Sequence, residues 1–200
     1  MSDERWDRTT RVSVWLCCLM LLVLGGAAWH RRTANSPVPL LYPRVDAANQ
    51  VMHSGRELVL VFIGSSKCGA SAVPALPAAL DSIRASAARY AASVHDQFSS
   101  LGIAVDQQPN DGLLFLKKFG VFDQIAVGHN WLNAAAISYI WRETPGPGSL
   151  PQVVLVERQL DVTGDGVSVG ADRILARKTG SDGLIRWAAQ GAPIIAVSAR

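Results

Sequence analysis

Cysteine is scarce. Of three in 200 residues, Cys17 and Cys18 sit side by side in an apolar stretch, so the remainder holds only Cys68 and no disulfide framework can form within it. Charge is thin as well, at 18% of residues, with Lys and Arg exceeding Asp and Glu by three. No basic run is longer than Arg31-Arg32 or Lys117-Lys118, which leaves no footprint for a nucleic-acid partner. His53, His95 and His129 are far apart with no paired spacing, so neither a metal site nor a cofactor is expected. Internal repeats and low-complexity tracts are lacking. A 49% hydrophobic share excludes disorder as the overall state, and about 170 residues beyond the apolar stretch suit one domain.

Residues 12–29 read VSVWLCCLMLLVLGGAAW, 18 residues without a charge between Arg11 and His30-Arg31-Arg32. As a helix they would span roughly 27 Å, enough for a hydrocarbon core, with Trp15 and Trp29 at the interfaces. Gly26-Ala27-Ala28 also presents the small residues that a signal peptidase inspects, so the segment reads as either a membrane anchor or a cleaved signal. Arg5, Arg8 and Arg11 before it balance Arg31, Arg32 and Arg44 after it, and charge does not orient it. The expected organisation is a tail over 1–11, the apolar segment over 12–29, a proline-rich linker over 30–44, a folded domain over 45–192 and a tail over 193–200.

Within the domain, residues 45–53 suit a short helix, and Leu58-Val59-Leu60-Val61-Phe62-Ile63 is an unbroken apolar run of strand length. Leu76, Leu80, Ile83, Ala87, Tyr90 and Val94 recur at helical spacing. A second buried strand is expected over 101–105, a helix over 111–119 ended by Gly120, a short strand over 124–127 and a helix over 130–141. A third buried strand opens at Pro151, where no ladder hydrogen bond need be lost. Asp165-Gly166 suits a hairpin turn into a strand over 173–177, and Ser181-Asp182 caps a last helix ending near Gly191. The alternation implies an α/β domain with a parallel core.

The unit that could carry chemistry is strand, turn, Cys68-Gly69-Ala70-Ser71, helix. A thiol at a helix N-terminus meets unpaired backbone N–H groups and the positive end of the helix dipole, which favour the nucleophilic thiolate. Lys67 adds a cation next door, and Ser71, three residues on, is in reach to donate a hydrogen bond to sulfur. Gly69 and Ala70 leave the sulfur open.

With LVLVFIGSSKCGAS, LGIAVD, LLFLKKFGVF, SLPQVVLV and the closing strand and helix, the chain resembles the thioredoxin-like superfamily, within it the membrane-tethered extracytoplasmic branch with a mid-domain insertion. The resemblance implies a thioredoxin-like fold, a central mixed sheet flanked by helices, preceded by one N-terminal membrane or signal helix. It implies a cis-proline beside the redox cysteine, at Pro151, and a domain on the extracytoplasmic side of the membrane. It departs from the family at Ser71, which stands where redox members carry their second cysteine, and a hydroxyl cannot resolve a mixed disulfide. Cys-Gly-x-Ser also resembles monothiol glutaredoxins, and Ser65-Ser66-Lys67-Cys68-Gly69 is locally similar to the peroxidatic segment of glutathione peroxidases, though the partner residues of either are not evident.

The expected function is that of a monothiol protein acting in thiol–disulfide chemistry through Cys68, Ser71, Lys67 and Pro151, with protein or small-molecule thiols and disulfides as partners and the membrane reached through 12–29. The alternative is a membrane-anchored interaction module that kept the scaffold and lost the chemistry. Asp161, Thr163, Asp165, Gly166 and Asp172 match several calcium-loop offsets, but the twelfth position lacks the bidentate Glu and a hairpin is expected instead. Trp131, Tyr139 and Trp141 are expected to pack a helix on the sheet, and the loop over 144–148 to lie near Cys68.

Overall fold

The run from Leu58 to Ile63 contains no polar side chain because its strand has a neighbour on each edge and a covering layer on each face. In the computed structural model, which describes residues 53–94, 97–163 and 166–194, this strand is β1 (Gly55–Gly64), and all six residues are buried. Strand β2 (Gln97–Ala104) runs parallel to it from Glu57↔Gln97 to Gly64↔Ala104, and β4 (Gln152–Thr163) lies antiparallel along the other edge. Strand β3 (Gln124–Val127) extends the sheet parallel to β2, giving the order β3-β2-β1-β4-β5, where β5 is Gly166–Val169, with β6 (Arg173–Thr179) also paired to β4. The sheet is therefore mixed, parallel on one side of β1 and antiparallel on the other.

Alternation along β1 sorts the core into two layers. Leu58, Leu60 and Phe62 meet Leu76, Leu80 and Ile83 of helix α1 (Leu76–Val94), together with Leu184 and Trp187 of the last helix (Ser181–Ala189). Val59, Val61 and Ile63 point the other way, onto Ala136, Tyr139 and Ile140. Helix α2 (Pro109–Leu116) adds Phe115 and Leu116 to the first layer and begins two residues earlier than expected, with Pro109 in its first turn, where a missing N–H is not felt. A short 3-10 turn (Lys117–Phe119) closes it, and Gly120, at φ 83°, supplies the left-handed residue that ends the segment.

Three expectations need correction. The single helix over 130–141 is instead a 3-10 turn (Asn130–Leu132), a short α3 (Ala134–Ala136) and a π turn (Ile137–Arg142). Asn133 is the cause of the first break. Its backbone is extended, its Oδ1 accepts from the Ala135 N–H and its Nδ2 donates to Gly128 O, so it ends one turn and caps the next. Second, the chain does not pass from the hairpin straight to the strand near Arg173. β4 is twelve residues long, and its far half pairs with β5 (Gly166–Val169) while its near half pairs with β6 (Arg173–Thr179). Every residue of β5 is exposed, and its apolar alternation is limited to Val167 and Val169, too short a pattern to mark a strand by itself. Third, Gly180, at φ 74°, is the N-cap of helix α4 (Ser181–Ala189), and neither Ser181 nor Asp182 caps it. The Gly180 N–H donates to Pro151 O at 2.7 Å, fastening this helix to the start of β4.

The segment 12–29, the linker over 30–44 and residues 45–52 lie outside the described residues, as do 195–200. Among the described residues no helix is long and apolar enough to cross a membrane.

Leu60 is fully buried in the first layer, so Leu60→Ala is expected to lower unfolding free energy by about 2–5 kcal/mol in a urea titration. A loss below about 1 kcal/mol would mean that this layer is not the packed core.

Candidate functional site

The parallel strands β1 and β2 end side by side, and the turn that leaves β1 carries the cysteine. Gly64, the last residue of the strand, has no room for a side chain, since a Cβ there would meet Phe115 Cζ at 2.7 Å. The turn Ser65-Ser66-Lys67-Cys68 then closes with Cys68 N–H donating to Ser65 O at 3.3 Å. Asp106, just beyond β2 and 2% exposed, holds this turn in place. Its Oδ1 accepts from Ser66 Oγ at 2.6 Å and from Ser65 Oγ at 3.2 Å, and the Ser66 N–H donates to both carboxylate oxygens at 3.2 Å. Ser65 Oγ in turn accepts from the Lys67 N–H at 3.1 Å. A charged acceptor with several donors in a dry site is among the stronger polar contacts a fold can contain.

Cys68 is half-buried and free. Its Sγ lies 3.8 Å from Leu150 O, to which the thiol donates, and the next peptide, Leu150-Pro151, is cis. Of the four residues singled out in sequence, Cys68 and Pro151 are thus brought together across 83 positions of chain.

The other two are differently engaged. Lys67 is 75% exposed and its Nζ lies 3.2 Å from Asp111 Oδ2, so its charge is turned to the first turn of α2. The Ser71 hydroxyl is buried and accepts from the Ser65 N–H at 3.4 Å, and among the described residues no hydrogen bond joins it to the sulfur. Cys68 also does not sit at the tip of the long helix. It precedes a four-residue 3-10 turn (Gly69–Ala72), and Pro74 forces Val73 into an extended conformation before α1 begins at Leu76. A single short turn sums far fewer peptide dipoles than nineteen helical residues would.

A cleft of about 410 Å³ opens beyond the carboxyl ends of β1 and β2, lined by Cys68, Asp106, Asp111, Asn130, Trp131 and Leu150 among others. Gly128, His129 and Asn130 all have positive φ, at 87°, 58° and 54°, and the Asn130 N–H donates to Asp106 O at 3.2 Å. Gly128 adopts this conformation freely, but two left-handed non-glycine residues after it cost free energy and persist where surrounding contacts over-determine them. Here they carry Trp131 to the cleft, in contact with Trp141 at 6.3 Å between ring centroids.

The loop over 144–148 does not itself line the cleft. Its backbone is gathered around the Arg177 guanidinium, whose Nη2 donates to Thr144 O and, at 3.1 Å, to Tyr139 O. Arg177 Nη1 donates to Gln152 Oε1 at 2.7 Å, and Gln152 Nε2 donates to Pro147 O and Ser149 O. Burial lowers the affinity of Arg177 for its proton. A Cβ on Gly146 would meet Arg177 Nη1 at 2.5 Å, so the loop requires glycine there. The buried Gln152 follows Pro151 directly, and this network therefore sets the position of Leu150 O beside the sulfur.

Asp106, Gln152 and Arg177 were not singled out from sequence. An acid directly after an apolar strand and an amide at the first position of another were the available signals.

Asp106→Ala leaves the Ser65 and Ser66 donors without an acceptor, and is expected to cost about 2–4 kcal/mol in urea unfolding followed by tryptophan fluorescence. A loss under about 0.5 kcal/mol would show that the turn holds its shape without the carboxylate. Comparison of the chain with family models, with curated proteins and with solved structures returns no match.

Proposed function

We propose that the protein is a thioredoxin-like, membrane-tethered monothiol whose Cys68 exchanges with disulfides on the extracytoplasmic side. The observation that carries this reading is the meeting of Cys68 Sγ with Leu150 O, next to the cis Leu150-Pro151 peptide, at the mouth of a cleft. Further support comes from the arrangement of strands, with β1 and β2 parallel, β4 and β6 antiparallel, and helices on both faces.

In the proposed step the Cys68 thiolate attacks one sulfur of a substrate disulfide. The Sγ–S bond forms as the substrate S–S bond breaks, and the departing sulfur leaves as a thiolate that takes a proton from water. Cys68 is then a mixed disulfide, and no net electrons have been gained or lost by the pair. Release requires a second thiol from outside the chain, because the Ser71 hydroxyl cannot attack sulfur and is occupied by the Ser65 N–H. That thiol attacks the substrate sulfur and expels the Cys68 thiolate.

A second reading, a binding module without chemistry, is favoured by the Lys67–Asp111 pair, in which the cation next to Cys68 is already engaged by a carboxylate. The two readings separate on Cys68→Ala: partner capture survives it in the second and is lost in the first.

Incubation with oxidised glutathione followed by mass spectrometry is expected to show one adduct, on Cys68. Ser71→Cys is expected to confer reduction of insulin disulfides with dithiothreitol as electron source, at least about tenfold above the parent. An unmodified Cys68 together with an inert Ser71→Cys variant would remove the exchange reading.

A further inference from the structure

A second cleft, of about 440 Å³, shares no lining residue with the one at Cys68. One wall is the segment from Ala134 to Glu143, and the other is Arg158 of β4 with the connection from Val169 to Asp172. Tyr139 stands at its base. The residue is 7% exposed, its ring belongs to the second core layer, and its carbonyl is taken by Thr144 Oγ1 at 2.9 Å and by Arg177. Its hydroxyl has no hydrogen-bond partner among the described residues and is not one of the enclosed side-chain atoms, so it opens onto the cleft. The polar end of a nine-tenths buried side chain is thus left to the cleft.

The charges around it do not balance. Glu57, buried in β1, accepts from Arg158 Nε at 2.7 Å and from Ser99 Oγ, so the positive charge of Arg158 is already matched. Asp172 and Glu143 form no ion pair among the described residues. The Asp172 carboxyl is held above the usual carboxylate range, chiefly by burial. Arg158 opposes that rise, while Glu143 and Glu57 add to it. Burial and then Asp172 raise the Tyr139 phenol in the same sense. A cation entering the cleft would relieve both groups.

Among the described residues no group of three or more His, Cys, Asp or Glu is placed to hold a metal ion. A primary ammonium fits better: it offers three N–H donors, matching two carboxylates and one hydroxyl. Ala134, Ala135, Val169 and Ala171 give the same cleft an apolar flank on which methylenes can lie.

We propose that this cleft binds a primary alkylammonium group, with its donors on Asp172, Glu143 and the Tyr139 hydroxyl and its stem along the alanines and Val169. A lysine side chain presented by a peptide and a free aliphatic diamine share that chemistry.

The test is calorimetric titration of the full-length chain with Nα-acetyl-lysine amide and, separately, with cadaverine, with 1-pentanol as the uncharged control. At least one amine is expected to bind and pentanol not to. Binding of the lysine amide alone assigns the source to a peptide, binding of cadaverine alone to a free amine, and either upholds the site. Asp172→Asn and Tyr139→Phe are each expected to weaken binding about tenfold, as loss of a hydrogen bond to a charged group does. Cys68→Ala should leave binding unchanged.

Folding of the variants is checked independently. A carboxyl whose folded value is raised is penalised when ionised, and the penalty vanishes as pH falls below its unfolded value. Asp172→Asn should therefore melt higher than the parent at pH 7, and the gap should close toward about pH 4. Silence of both amines up to about 10 mM, or equal affinity in a well-folded Asp172→Asn variant, would overturn the proposal.

Discussion

Asp106 is the constraint on which the cleft at Cys68 depends. Two parallel strands end together, and the backbone leaving β1 must turn sharply within a few residues while its polar groups lose access to water. One carboxylate at the end of β2 takes both serine hydroxyls and a backbone N–H of that turn. The sulfur is therefore located by the register of β1 against β2 as well as by Ser71 of its own tetrapeptide, which accepts from the Ser65 N–H. A second clamp works from the other side, where Arg177 and Gln152 gather the loop before Pro151 and so fix the carbonyl that the thiol meets.

Both clamps place buried polar groups close to the cleft, where each half-satisfied member would cost more than an apolar replacement. Asp106 is served by several donors, and Gln152 uses both ends of its amide. The second cleft is the opposite case. There Glu57 and Arg158 satisfy each other while Tyr139, Asp172 and Glu143 are left over. The contrast between a closed network and an open one separates what holds the fold from what the fold presents to solvent.

Much of the framework was legible in sequence because it follows from burial. The apolar run of β1, the alternating spacing of α1 and the apolar start of β4 all report a side chain's distance from water, and a chain carries that information locally. What was not legible depends on partners distant in the chain. Nothing near Lys67 indicates that Asp111 will take its charge, and the brief alternation of Val167-Ser168-Val169, exposed throughout, is too short to signal by itself a strand held only by its ladder to β4. The helix break at Asn133 was visible as a cap-forming residue, but an even run of helix formers around it masked the signal. The position of Cys68 ahead of a lone 3-10 turn follows from Pro74, whose effect on the preceding residue a reading by periodicity passes over.

Strand β4 runs from beside one cleft, just after Leu150 in its lining, into the wall of the other. It begins at Gln152, one residue from the cis peptide, and carries Arg158 in the wall of the other cleft. Six extended residues span about 20 Å, and pairing along both edges, with one register shift toward β6 between Leu155 and Val156, holds the strand extended. It works as a ruler: any single molecule engaging the two ends at once needs a reach of that order, and shorter ones must choose.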